Sequence, residues 1–499
     1  MTRFSSLVPF LAGSLLASPV FADLSAEEAW QLYRETNAEA GDFSFEGADV
    51  SRNEVTVTGA TLVLGDDLNT VVVELGTLVF AEASGGVALT LAPRIPMQME
   101  FDVEGDRAEV QAAILMGGSD IVLSGSADEM IQTYSIAQME FVIEEIEDMP
   151  EGMTFDISAT LMNLNGQTSL SGSDTRAAAF SATADSLVYD VSAVNPQDGN
   201  FSMDAALNGI GMTGTSNFPT GFAAMQAGTL FQNPDYALDA VLNTQSLSLS
   251  ASFSDPSGDG AFEMAAGAGS VAMDISDGAV AYDGGLDGLE MSAAVPDLPL
   301  PVNVNLARYG YKVSMPMVPT EEVRPMAFGI DLIGLEIDDF LWNLFDPGTV
   351  LPRDPADLTF LANLTGRWLV DITDPDAPMQ AMLAGDSIFE VETADISNLR
   401  LSAAGSELTG KGAFTFDNDD LFTFDGMPAP DGGVDLKLVG GNGLIDKLVQ
   451  MGLLPQEQAM GARMMLGLFA VPGEGEDTLT SRIDVTPDGQ VLANGQRIR

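Results

Sequence analysis

Alternation of apolar and polar residues with a period of two runs through this chain and constrains its fold more than any other feature. Met97, Met99, Phe101 and Val103 alternate with Gln98, Glu100, Asp102 and Glu104. Phe155, Ile157, Ala159 and Leu161 alternate with Asp156, Ser158 and Thr160. Leu247, Leu249, Ala251 and Phe253 are interleaved with serines, and Val302, Val304 and Leu306 with asparagines. The pattern gives each strand one dry and one wet face, as in antiparallel sheet. Asn165-Gly166, Asp198-Gly199, Asp259-Gly260, Asp283-Gly284 and Asp488-Gly489 supply turn signals, and 51 glycines favour tight turns over helical crossovers. The expected fold is mainly β, with long antiparallel sheets that are curved or rolled. Residues 71–80 are more continuously apolar and read as covered on both faces.

Helices are few. Ser25 and Glu28 form a capping box ahead of a helix that carries Trp30 and ends at Gly41. Asp338-Asp339 starts a short helix that Pro347 stops, and 443–453 with 455–470 reads as a helical hairpin. The N-terminal helix and the C-terminal hairpin are expected to act as covers for the sheet. Proline-rich stretches at 295–301, 346–357 and 374–378 mark joints. The chain divides into a signal peptide (1–22), an N-terminal helix with a β region (23–300), and a C-terminal β region (301–499) that contains the hairpin 443–470. Leu207-Asn-Gly-Ile-Gly-Met-Thr-Gly214 resembles Leu286-Asp-Gly-Leu-Glu-Met-Ser-Ala293, and Ile396-Ser-Asn-Leu-Arg-Leu-Ser-Ala403 follows the same rhythm. The spacing is unequal, so a fixed-period solenoid is excluded.

Arg3, the apolar 4–16 stretch and Val20-Phe21-Ala22 have the order of a secretory signal, with cleavage expected after Ala22. No later stretch approaches the roughly 20 apolar residues of a membrane helix, and a periplasmic location is expected. Lys and Arg number 19 against 74 Asp and Glu, for a formal charge of −55. Such a chain is repelled by nucleic acid, so no nucleic-acid partner is expected. Apolar residues are 46% of the chain, enough for a core. There is no Cys and no His, which removes thiol nucleophiles, disulfides, Cys/His zinc sites and every Ser-His or Cys-His triad.

Apparent phosphate motifs fail on context. Gly405-Ser-Glu-Leu-Thr-Gly410-Lys411 is followed by Gly412 and a strand pattern, where a P-loop needs Ser or Thr and a helix. Gly209, Gly211 and Gly214 match a dinucleotide fingerprint with no βαβ unit around them. Asp417-Asn-Asp-Asp420 reads as a hairpin loop and lacks the closing Glu of an EF-hand, which leaves weak calcium binding open. No catalytic, cofactor-binding or metal-ligating residue is assigned, and no cofactor is expected. What stands out is soft apolar surface. Met451, Met460, Met464, Met465, Leu468 and Phe469 of the C-terminal hairpin form a candidate surface for a ligand or partner, or alternatively fill an ordinary core.

A family resemblance runs through Arg308-Tyr-Gly-Tyr-Lys-Val-Ser-Met-Pro-Met317, Leu341-Trp-Asn-Leu-Phe-Asp-Pro347, Leu351-Pro-Arg-Asp-Pro355 and Gly440-Gly-Asn-Gly-Leu-Ile-Asp-Lys-Leu448. In these stretches the chain resembles the bacterial family called domain of unknown function 2125. The likeness covers most of the chain after residue 22 and is most specific from 308 onward. It implies a secreted setting and carries over no catalytic residue. The architecture is also remotely similar to the AsmA-type and YdgA-type envelope proteins. Together these features lead to the expectation of a non-enzymatic envelope protein that binds lipid or another amphiphile on the apolar face of a curved sheet. The alternatives are an envelope scaffold that holds a protein partner and, last, a carboxylate-based hydrolase.

Overall fold

In a computed structural model the chain forms one 26-stranded antiparallel sheet. The structure describes residues 24–499 apart from 66–68, 104–105, 127, 148, 150–151, 173–174, 198, 220–226, 297 and 299. The secretion signal and its cleavage site lie outside the described residues, as do Asp198 of one turn and Asp297 and Pro299 of the 295–301 joint.

The chain opens with α1 (Ala26–Ala40), β1 (Asp42–Ser44), β2 (Gly47–Val50), β3 (Glu54–Gly65), β4 (Asn69–Ala83), β5 (Gly86–Thr90) and β6 (Arg94–Val103). Long strands follow: β7 (Asp106–Gly125), β8 (Glu129–Ile146), β9 (Thr154–Ser171), β10 (Thr175–Asn195) and β11 (Gly199–Pro219). After α2 (Ala227–Gln232) come β12 (Ala237–Thr244), β13 (Ser246–Asp255), β14 (Gly258–Ala266), β15 (Gly269–Ser276), β16 (Ala279–Ala294), β17 (Val302–Pro316) and β18 (Arg324–Ile337). The remainder is α3 (Asp339–Phe345), β19 (Ala356–Trp368), α4 (Ala377–Ala384), β20 (Phe389–Ala403), β21 (Ser406–Asp417), β22 (Ala429–Val439), α5 (Gly441–Gln450), α6 (Gln456–Phe469), β23 (Val471–Pro472), β24 (Thr478–Val485), β25 (Val491–Ala493) and β26 (Gln496–Arg497).

Most strands pair with their neighbours in the chain, so the sheet is a long meander. Two levels are each built from two short strands laid end to end: β12 and β13 both pair with β11, and β15 and β14 both pair with β16. Among the described residues no pairing joins β1 or β2 to the far end at β24–β26, so the sheet is open rather than a closed barrel. The β regions drawn on either side of residue 300 share this sheet, because β16 and β17 are hydrogen-bonded neighbours.

At its N-terminal end the sheet rolls around α1. The capping box is present: the Glu28 backbone N–H donates to Ser25 Oγ, and the Ser25 N–H donates back to the Glu28 carboxylate. Trp30 sits 5.6 Å from the Phe80 ring and 5.2 Å from Phe45. Around it Val55, Val57, Leu78, Val87 and Leu123 are fully buried, in a core that joins β3, β4, β5, β7 and β8. The roll extends further, since Arg176 of β10 pairs with Glu39 of α1 at 3.1 Å. The C-terminal hairpin behaves differently. Helix α5 packs on β21 and α6 packs on α5, but Ala459 alone is buried along α6. Helix α6 therefore covers little of the sheet. Helix α4 falls partly on the 374–378 joint, where Pro378 takes one of the first two helical positions and costs no internal hydrogen bond.

Candidate functional site: an uncovered apolar face

Residues directly opposite one another in an antiparallel pair share a face, so the register assigns every strand position to one side. Met139, Leu161, Leu187, Leu207, Leu247 and Ala266 stand in one row across β8, β9, β10, β11, β13 and β14. Leu286, Tyr309, Leu332, Leu358, Leu401, Leu408, Leu438 and Leu479 form another, from β16 to β24. Both rows belong to one apolar face.

A single face survives over such long strands because the alternation changes phase within them. On β11 the apolar positions are Phe201, Met203, Ala205 and Leu207, then Ile210 and Met212; on β16 they are Tyr282 and Leu286, then Leu289 and Met291. One residue is inserted at each break. Gly59, Gly76, Gly118, Asn163, Gly209, Gly288 and Gly334 occupy these breaks with φ between 52° and 70°, conformations that glycine and, less readily, asparagine adopt. Intervening strands place Ala137, Asp185, Gln245 and Ala307 opposite them. A methyl added at Gly334 would lie 2.8 Å from the Ala307 Cβ, and one at Gly209 would lie 2.4 Å from the Gln245 side chain. The breaks line up as a seam across the sheet from β3 to β18. The resemblance between residues 207–214 and 286–293 arises here, since both carry Leu-Asx-Gly at the seam.

A second device shapes the same face. Tyr134 lies opposite Gly166, Phe180 opposite Gly214, Phe253 opposite Gly260 and Tyr311 opposite Gly284. A methyl at Gly260 would come within 2.1 Å of the Phe253 ring, so the ring lies flat over the glycine backbone. These rings give the face a low aromatic floor.

Past α1 the middle of this face has no cover among the described residues; at its edge Ile275 and Val280 are buried where α2 reaches Gly278. Phe201, Phe253, Phe262 and Phe328 are 41%, 40%, 36% and 48% exposed, whereas Phe80 under α1 is 0% exposed. At the seam the face holds a cavity of about 220 Å³, bounded by Leu207 and Leu247 on one side and Leu242, Val271 and Leu286 on the other.

The opposite face is charged. Asp357 accepts from the Gly334 backbone N–H at 2.9 Å and from Arg400 at 2.6 Å. The Gly334 N–H and then Arg400 hold its carboxyl below the ordinary range, so it stays ionised. Asp190 faces Asp204 across β10 and β11. Partial burial, followed by the hydrogen bond and charge of Asp204, pushes Asp190 above the ordinary range.

The six methionine-hairpin candidates do not come together on the sheet. Met460, Met464, Met465 and Leu468 project from α6, between 48% and 72% exposed. Met451 caps α5, and Phe469 ends α6, where its carbonyl accepts from Ser481 and Asn494. Met460, Met464, Met465 and Leu468 therefore fill no core. The alternation placed Phe155 and Phe253 on dry strand faces but named no aromatic of the bare face as a site residue, although the phase change is a signal that could have joined them into one face. The motif look-alikes are turns and strands. Ala404 and Gly405, both with positive φ, close the two-residue hairpin between β20 and β21. Gly209, Gly211 and Gly214 lie within β11. The Asp420 carboxylate accepts from Phe422, Thr423 N and Thr423 Oγ1 within its own turn.

The motifs behind the family resemblance build structure. Asp346 is buried and accepts from the Val350 and Leu351 backbone, each at 2.9 Å. Arg353 bonds the Asp346 carbonyl and stacks over Trp342, which ties 341–347 to 351–355. Asp477 accepts from Asn442 and Gly443, capping α5 from a distant loop.

Among the described residues no helix is long and apolar enough to cross a membrane. No curated protein matches the chain. A family model described as "uncharacterized protein conserved in bacteria" matches residues 251–495, a narrower span than the resemblance implied. This C-terminal part, which includes half of the bare face and both structural knots, matches the bacterial family called domain of unknown function 2125.

Proposed function

We propose that this chain is a non-enzymatic envelope protein that holds a lipid or similar amphiphile on the apolar face of its sheet. One observation carries the reading: a continuous apolar face crosses β9 to β18 with its aromatic side chains partly in water. Soluble proteins rarely leave so large an apolar surface bare unless something binds it. Aliphatic rows over a flat aromatic floor suit acyl chains, which need apolar contact and few directional bonds. The charged opposite face keeps the protein soluble. We place the protein in the periplasm, on the strength of the n-, h- and c-region order in residues 1–22. The likeness to AsmA-type and YdgA-type proteins rests on architecture alone and contributes no residue.

A second reading, a scaffold for a protein partner, is favoured by a separate observation. Leu383 of α4 and Phe422 of the loop before β22 are 82% and 93% exposed, at sheet ends rather than on the face.

The test is to purify residues 23–499 from a bacterial periplasm, weigh the protein by native mass spectrometry, and extract it with organic solvent. Lipid at defined stoichiometry, lost on Leu249→Asp or Phe253→Asp, is the expected result. A clean apo mass with nothing extractable would overturn the lipid reading in favour of the scaffold.

A further inference from the structure

The sharpest feature of the bare face is the cavity at the seam. Leu207 and Leu247 belong to the row on one side of the breaks, and Leu242, Val271 and Leu286 to positions on the other. Its floor is open because Gly269 has no side chain. A methyl there would lie 2.7 Å from a Leu286 methyl and 3.1 Å from Thr244 Cγ2. Tyr309 and Tyr311, with ring centroids 6.0 Å apart, complete the lining. No charged side chain lines it. The ion pair of Arg308 with Asp287, at 3.5 Å, lies on the other side of the sheet. There it borders a polar cavity with Asn243 and Ser270, so Gly269 and Gly285 separate a dry recess from a wet one.

Resting on the amphiphile-binding reading, we infer that this cavity seats the terminal segment of one linear acyl chain from a lipid of no net charge. The size fits. At about 30 Å³ for a water-sized group such as a methylene, the recess takes roughly seven chain carbons. The rest of the chain runs on over the rows of the face, and the headgroup stays outside. Charge selects the headgroup class: a protein with a formal charge of −55 disfavours an anionic ligand and leaves a zwitterionic one unopposed.

The test titrates residues 23–499 with palmitoyl-lysophosphatidylcholine below its micelle concentration, and separately with palmitate. Val271→Trp and Leu242→Trp fill the recess from its rim; Ser250→Trp places the same bulk on the opposite, charged face, beside Asp204. Circular dichroism and the thermal midpoint confirm that each variant is folded, and having two rim variants guards against the loss of one. The expected result is binding weakened about tenfold or more by the rim variants and changed by less than about twofold by Ser250→Trp. Lysophosphatidylcholine is expected to bind more tightly than palmitate. Equal binding by the wild type and all three variants would overturn the cavity assignment while leaving the face reading intact. Tighter binding of palmitate would overturn the headgroup assignment. No binding of either amphiphile by the wild type would overturn the face reading itself.

Discussion

The two ends of β3–β18 carry the same apolar face, with the same seam, and meet opposite fates. Near β3 and β4, α1 lays Trp30 and Tyr33 against Phe80, and Val55, Val57 and Leu78 vanish from solvent. From β9 onward the face continues in register, but among the described residues no helix covers its middle, and Phe201, Phe253 and Phe328 remain near half exposure. Both ends carry aromatic residues on this face. The difference lies in one amphipathic helix, which turns a sheet surface into a core at one end and leaves an apolar surface bare along the middle.

The largest effect expected from this comparison separates the two ends by truncation. Trp30→Ala should cost about 3–5 kcal/mol in urea unfolding, the range for large aromatic truncations in cores. Phe253→Ala should cost less than about 1 kcal/mol, because its ring is already partly hydrated. Equal losses would mean that the middle face is covered after all.

Next comes the seam. Gly209→Val should destabilise by about 1–3 kcal/mol, since φ is +61° and the side chain would strike Gln245. Gly211→Ala, two residues along with open space at its Cβ, should change stability by less than about 0.5 kcal/mol. The pair also separates a backbone role from a nucleotide fingerprint, which would require both glycines.

The smallest effect concerns the charged face. Asp357 has its pKa lowered in the folded state, so its contribution is complete above the unfolded-state carboxylate value. It is lost as pH falls through the lower folded value. Asp190 has the opposite sign: its raised value opposes folding when ionised, and that penalty disappears as pH falls through the folded value. Carboxyl NMR titration should place Asp190 above Asp357, and Asp204→Asn should bring Asp190 down. An unchanged Asp190 in that variant would show that Asp204 is not the cause.

Much of this architecture was legible in the chain. Period-two alternation foretold the long strands, Ser25 and Glu28 the first cap, and Asp338 with Pro347 the limits of α3. The seam was written there too, as Phe201–Leu207 on odd positions and Ile210 and Met212 on even ones. Strands read in short stretches hide it, because each half alternates cleanly by itself. Its trace was the repeated Leu-Asx-Gly. The bareness of the face was not legible, because cover is a tertiary property: Met464 and Phe80 are equally apolar in sequence, and packing alone leaves one 72% exposed and the other at 0%.

The protein has no cysteine, so single cysteines can carry an environment-sensitive dye at known positions. The most direct measurement labels Phe253→Cys on the bare face and Ser252→Cys on the charged one, then adds palmitoyl-lysophosphatidylcholine. A blue shift at 253 with none at 252 is the predicted result. Equal responses at both positions, or none at 253, would contradict an amphiphile-binding apolar face.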